Sequence, residues 1–233
     1  LLIALCVVVV LYAVTLAVQG DGGFAAAASP VLYNVSFILA AAVVAVHAAT
    51  GGRRTRPWFV VASGLALYVV GLAVMSLGGT GMAPNAATPA DAFWLMFYPL
   101  AFVALLILTK RSLAMDVTHS LLDSALVGVG AFAVGVAILD ATVAPGMSGA
   151  DPSFVITRSL YLLGDLVMLV LFLAVAQSLR WRPPVAWWFL IAGGIVFSLA
   201  DAAYLVQLAN GTYVSGSWID LLWPVTALLV SLA

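Results

Sequence analysis

The stretch RSLYLLGDLVMLVLFLAVAQSLRWRPPVAWWFLIAGGIVFSLADAAYLVQLA (158–209) decides the fold. RWRPP (180–184) divides two apolar runs, 154–179 and 185–208. A bilayer core about 30 Å thick is crossed by about 20 mostly apolar helical residues, so each run is long enough to span. Two prolines between them cannot continue a helix, and two arginines resist burial in hydrocarbon. The stretch therefore reads as a helical hairpin that crosses a membrane twice.

The rest of the 233-residue chain has the same character: 65% hydrophobic, 7% charged, mean hydropathy +1.22. Soluble domains carry about 25% charged residues. This composition excludes a water-soluble fold and a disordered chain. The net charge is −1, with no basic patch to hold phosphate backbones, which excludes a nucleic-acid partner. Cys6, in an apolar run, is the one cysteine, so neither a disulfide framework nor a cysteine metal site can form. The fold class is an all-α membrane protein, a single transmembrane domain over 1–233 whose main partner is the lipid bilayer.

Working outward gives eight spans: 1–19, 31–50, 58–78, 92–109, 121–143, 154–179, 185–208 and 218–233, the last truncated. Turn-rich segments separate them. Arg53, Arg54, Arg56, Lys110, Arg111, Arg180 and Arg182, seven of the eight basic residues, fall in alternate loops. By the positive-inside rule those loops and both termini are cytoplasmic. Leu1 opens inside an apolar run without a basic leader and Ala233 ends inside another, which predicts a module excised from a longer chain.

The halves 1–109 and 110–233 resemble each other at an offset of about 126–130 residues. RTRPWFVVASG (54–64) matches RWRPP (180–184) followed by WFLIAGG (188–194), with Gly64 on Gly194; DAFW (91–94) matches DLLW (220–223), and Tyr33 falls on Tyr161. Four spans per half make a parallel 4+4 repeat, whose interface is a common place for sites.

Ionisable residues inside a membrane are costly and mark function by default. Arg158, Tyr161 and Asp165 share one helical face, as do Ser198, Asp201 and Tyr204. Asp91, Trp94 and Tyr98 form another stripe, and Asp220 with Trp223 an equivalent one beside Pro224. Asp140 ends the fifth span on the same side. Lipid hosts none of these faces, so they turn toward one another and line a polar cavity in the outer half. Five carboxylates against one arginine require protonated aspartates, water, or a small ligand or cation. Arg158 points back toward its helix N-terminus, toward Asp91, Asp140 or Asp201.

Plainer roles compete. Asp91 and Asp220 begin helices and Asp123 sits near an end, where a carboxylate caps free N–H groups. Trp94, Tyr98, Trp218 and Trp223 suit an interfacial belt. His47 and His119 are too far apart for axial haem ligands, and Lys110 lies in a loop, away from any Schiff-base site.

ADAFWLMFYPLAF (90–102), LLDSALVG (121–128), RSLYLLGDLVMLVL (158–171) and LADAAYLVQLANGTYVSGSWIDLLWP (199–224) carry a resemblance. Together they resemble the multi-span N-terminal sensor module of bacterial GGDEF/EAL signalling proteins. The resemblance covers 58–233 well and the first two spans only by hydropathy. It implies a bacterial plasma-membrane sensor joined to a cytoplasmic cyclic di-GMP output domain beyond Ala233. GTP and Mg, a diguanylate cyclase or phosphodiesterase activity, and homodimerisation would belong to that output domain. No GGDEF or EAL motif occurs in these residues, so the module itself holds no catalytic residue and no cofactor.

Two other functions compete. A 4+4 repeat with buried charge also suits a small-solute or ion transporter, although Tyr98-Pro99 and Trp223-Pro224 are its only broken-helix candidates. LLGD (162–165) is similar to the GxGD element of intramembrane aspartyl proteases, but the first glycine is missing.

Overall fold

A computed structural model describes residues 1–18, 24–52, 55–78, 86–112, 129–130, 133 and 151–233. The fifth span, with Asp123 and Asp140, lies outside the described residues apart from 129–130 and 133, and so do His119, Arg53 and Arg54.

The described chain folds into helices: α1 (Leu2–Ala17), α2 (Phe24–Thr50), α3 (Trp58–Leu77), α4 (Pro89–Ser112), α5 (Pro152–Ser178), α6 (Val185–Ala209), a 3₁₀ turn (Trp218–Leu221) and α7 (Leu222–Leu232). Five of them, α2 to α6, are long and apolar enough to cross a membrane; α1 and the segment Trp218–Leu232 are shorter and apolar. The protein is thus helical and multi-pass in character.

Boundaries follow local chemistry. Asp151 caps α5 by accepting from the Ser153 N–H at 2.7 Å, with Pro152 in the first turn. The Ser153 hydrogen bonds hold the Asp151 carboxyl below its ordinary range. RWRPP ends α5 and starts α6: Arg180 and Trp181 take positive φ values of 52° and 59°, and Pro184 precedes the first helical residue. α2 begins seven residues earlier than its apolar run suggests, passing through Pro30, because Ala25–Ala28 is a strong helix former on the N-terminal side of that proline.

Chain neighbours pack as antiparallel pairs: α1 on α2, α2 on α3, α3 on α4, α5 on α6 and α6 on α7. α4 meets α5, and α7 returns to lie against α1 and α2. The core between them contains Leu5, Phe37, Val44, Leu65, Tyr68, Trp187, Leu190 and Ile219. Ile3, Leu77, Ile156 and Leu199 are exposed and face outward, as a lipid-facing surface requires. Glycines set the closest approaches. A Cβ at Gly71 would collide with the Trp94 indole, one at Gly164 with the Tyr98 ring, and one at Gly194 with the Phe172 ring. Small residues at helix contacts are the usual packing device where lipid supplies no hydrophobic drive.

Candidate functional site: a buried aspartate and tyrosine network

Among the described residues, four carboxylates are buried inside the bundle: Asp91, Asp165, Asp201 and Asp220. Each is held in a different way.

Asp91 sits in the first turn of α4. Its Oδ2 accepts from the Thr88 backbone N–H at 2.7 Å and from the Thr88 hydroxyl at 2.8 Å. That is the capping role, and it uses one oxygen. Oδ1 turns into the bundle, accepts from the Tyr161 hydroxyl at 2.9 Å and lies 3.7 Å from Arg158 Nη1. Capping and site membership are therefore compatible.

Arg158, in the second turn of α5, is nearly buried, with 13% of its side chain exposed. Its guanidinium carbon lies 4.8, 5.6 and 5.4 Å from the ring centres of Phe154, Tyr161 and Tyr204. Aromatic faces stabilise a cation most where water is excluded. Three rings and one carboxylate replace the hydration that the membrane removes. Nε finds no acceptor among the described residues.

One turn deeper along the Arg158–Tyr161–Asp165 stripe, Tyr98 bridges α4, α5 and α6. Its hydroxyl lies 2.9 Å from Asp165 Oδ1 and 3.2 Å from Asp201 Oδ2. Asp201 Oδ1 also accepts from the Trp223 indole N–H at 2.7 Å, which ties α7 to α6. A phenol has one proton. Two hydrogen bonds between three oxygens need two protons, so one carboxyl of the pair supplies the second. Asp201, already served by the indole, is the carboxylate better suited to hold a charge. Asp165 is then the carboxylic acid, with its proton directed at the tyrosine oxygen. Its other oxygen, Oδ2, is buried without a hydrogen bond of normal geometry among the described residues, and the Ser198 hydroxyl on α6 is the other side chain that interacts with the carboxyl.

Asp220 lies in the 3₁₀ turn that leads into α7. It accepts from the Gly216 N–H at 2.5 Å and from the Tyr213 hydroxyl at 2.9 Å. Tyr213 packs edge-on against Tyr204, with ring centres 4.7 Å apart, and Tyr204 packs against Trp223 at 5.9 Å. The network thus runs from Asp91 through Arg158 and Tyr204 to Asp220, with Tyr98, Asp165, Asp201 and Trp223 beneath it.

Of the candidate residues, Asp91, Tyr98, Arg158, Tyr161, Asp165, Asp201, Tyr204, Asp220 and Trp223 come together. Trp94 goes elsewhere: its indole donates to the Tyr68 carbonyl at 3.2 Å and fills the gap over Gly71 on α3. Asp140 lies outside the described residues. Trp218 is exposed, as the belt reading requires.

Tyr213 and Thr88 were not evident from sequence. Tyr213 stands seven residues before Asp220, but a glycine-containing turn lies between them, so no helical periodicity connects them. A second aromatic group, Tyr12, Tyr33, Phe37 and Tyr68, runs through α1 to α3 beside the network; Phe37 and Tyr68 stack at 4.5 Å. No group of three or more His, Cys, Asp or Glu among the described residues is arranged to hold a metal ion.

The packing gives one direct test. Gly164 brings α5 against the Tyr98 ring, which is itself pinned by two carboxyls. Gly164→Ala is expected to destabilise the fold by about 1–3 kcal/mol, the range for overpacking a filled interior. Thermal unfolding in detergent measures it; an unchanged midpoint would show that the ring is free to move aside.

Comparison with protein-family models, with curated proteins and with solved structures finds no match to this chain.

Proposed function

We propose that the chain is the transmembrane input module of a bacterial plasma-membrane signalling protein. The polar network is its responsive element, and α7 carries the response to a cytoplasmic cyclic di-GMP domain C-terminal to these residues. The observation that carries the reading is the Trp223–Asp201 hydrogen bond. It fastens the helix nearest the C-terminus to a charge balance set by Arg158, Asp91 and the Asp165–Tyr98–Asp201 group. A change in that balance, from a small ligand or from the membrane itself, alters what holds α7. The resemblance of 90–102, 158–171 and 199–224 to such modules supports the choice of output. Homodimerisation through the output domain belongs to the same reading.

The proposal includes eight spans, cytoplasmic termini and a parallel 4+4 repeat. Contacts between α3 and α4 support the repeat when set beside those between α6 and α7. Gly64 approaches Phe97 and Leu100, while Gly193 approaches Thr226 and Leu229. Each residue of the second set stands 129 positions after its counterpart, as do Asp220 after Asp91, Trp223 after Trp94 and Trp187 after Trp58. Trp58 and Trp187 are both buried, whereas Trp188 is exposed. This register pairs Gly64 with Gly193, one residue from the pairing that the sequence alignment favours.

The experiment uses the natural protein that contains these residues, at matched membrane abundance. Trp223→Phe keeps the ring and removes the N–H, and is expected to change basal cellular cyclic di-GMP several-fold. Output equal to that of the unmodified protein would refute coupling through α7. No effect of the natural protein itself on cyclic di-GMP would refute the output assignment.

A further inference from the structure

A cavity of about 50 Å³ lies among α3, α4, α5, α6 and α7. Its walls are mostly apolar, with Val61, Ala101, Leu105, Met168, Phe172 and Val230 among them. Its polar lining is the Asp165 carboxyl with the Ser198 and Thr226 hydroxyls, of which Thr226 donates to the Gly193 carbonyl at 3.3 Å. Asp165 is 5% exposed; its buried Oδ2 makes no hydrogen bond of normal geometry among the described residues, and the Ser198 hydroxyl on α6 is the one other side chain that interacts with this carboxyl. The cavity extends from Asp165 away from Arg158, toward the ends of α3 to α6 that carry the basic loops. It is therefore distinct from the arginine-centred network.

A buried acceptor without a donor costs about 1–3 kcal/mol, so a molecule that brings a donor to it gains that much selectivity over one that does not. The protons counted around Tyr98 say which donor fits. Asp165 gives its own proton to the tyrosine oxygen, so Oδ2 is a carbonyl-type acceptor on a neutral acid. A cation placed there would leave water for an apolar chamber with only the Asp201 carboxylate, on the far side of the Tyr98 hydroxyl, to balance it, at high desolvation cost. A neutral hydroxyl adds none. A volume of 50 Å³ holds about four waters, or one hydroxyl with a short aliphatic stem. A file of waters would need two to four polar partners each, and the walls away from Asp165 supply few.

We propose that this cavity is a binding site for an uncharged apolar molecule bearing one terminal hydroxyl, which donates to Asp165 Oδ2 while its hydrocarbon part lies between Ala101, Met168 and Phe172. This holds whether or not the module reports to a cyclic di-GMP domain.

Photolabelling with a short diazirine-bearing primary alkanol, in the purified full chain, tests it. Adducts mapped by mass spectrometry are expected on cavity residues such as Met168 and Phe172. Competition by n-butanol should exceed competition by diethyl ether, which matches it in size and lacks the donor, by about fivefold to a hundredfold, the equivalent of one buried hydrogen bond. Ala101→Phe fills the cavity without touching the network and should abolish those adducts. Asp165→Asn should retain them, because the amide N–H replaces the acid proton toward Tyr98 and leaves a carbonyl oxygen in place. Equal competition by alcohol and ether, or adducts that survive Ala101→Phe, would overturn the proposal. Loss of labelling in a folded Asp165→Asn would overturn the neutral-acid assignment and, with it, the hydroxyl ligand. Should Asp165→Asn fail to fold, alcohol against ether and Ala101→Phe still decide the matter.

Discussion

Replacing Arg158 by leucine is expected to destabilise the folded protein by roughly 3–5 kcal/mol, the cost of leaving one member of a buried ion pair alone. The guanidinium lies 3.7 Å from Asp91 Oδ1 and against the rings of Phe154, Tyr161 and Tyr204. After the substitution the rings can still pack, but Asp91 keeps one oxygen in an apolar wall with only the Tyr161 hydroxyl for company. The loss should therefore depend on Asp91. Asp91→Asn combined with Arg158→Leu is expected to recover part of the stability, because the amide keeps an acceptor for Thr88 or Tyr161 and removes the charge. Unfolding of the four proteins in one detergent gives the coupling energy directly. Additive losses would mean that the 3.7 Å contact contributes little and that Arg158 is held mainly by its rings. In the natural protein the same substitution should fix signalling output at one level. A stable Arg158→Leu variant that still responds would leave the network a packing device only.

Tyr98→Phe should produce the second large effect. A single hydroxyl stands between Asp165 Oδ1 and Asp201 Oδ2, at 2.9 and 3.2 Å. Phenylalanine fills nearly the same volume, so no cavity or collapse term enters. What remains is two carboxyl oxygens facing an aromatic edge. At about 1–3 kcal/mol for each buried oxygen left without a partner, the loss is roughly 2–6 kcal/mol. Trp94→Phe provides the contrast. It removes one indole bond to the Tyr68 carbonyl, which keeps its place in the helix ladder, and should cost about 1 kcal/mol or less for that bond. Chemical unfolding of both variants checks the ratio. Equal losses would show that Tyr98 acts through its ring contacts with Phe97, Tyr161 and Phe197 rather than through its hydroxyl.

Both expectations rest on one feature of the molecule. Among the described residues, the aspartates outnumber the basic residues inside the bundle, and each is answered locally. Arg158 serves Asp91, a shared proton serves Asp165 and Asp201, and two donors serve Asp220. Such neutralisation lets four carboxylates stay among apolar helices. It also makes the arrangement sensitive, because removing one proton or one cation leaves a charge with no nearby replacement.

Much of this was legible in the residues alone. Apolar runs bounded by Gly, Pro and Arg fix where helices start and stop, since a bilayer leaves each backbone segment no partner but itself. The five long described helices start and stop within a few residues of expected spans, except that α2 starts earlier through its alanines, while α1 and Trp218–Leu232 are shorter than a full span. Helical spacing also put Arg158, Tyr161 and Asp165 on one face, and the cost of charge in lipid turned that face inward. Pairing is what sequence did not determine. Nothing in the residues sends Trp94 to an α3 carbonyl and Trp223 to Asp201, although each stands three residues after an aspartate. The difference lies in what each indole meets: Gly71 leaves it a gap on α3, whereas Asp201 on α6 presents a carboxylate. Tyr213 joins Asp220 across a turn that no periodicity describes. The shared proton at Tyr98 and the buried second oxygen of Asp165 likewise exist only once α4, α5 and α6 are packed, because they depend on distances between residues 67 and 103 positions apart.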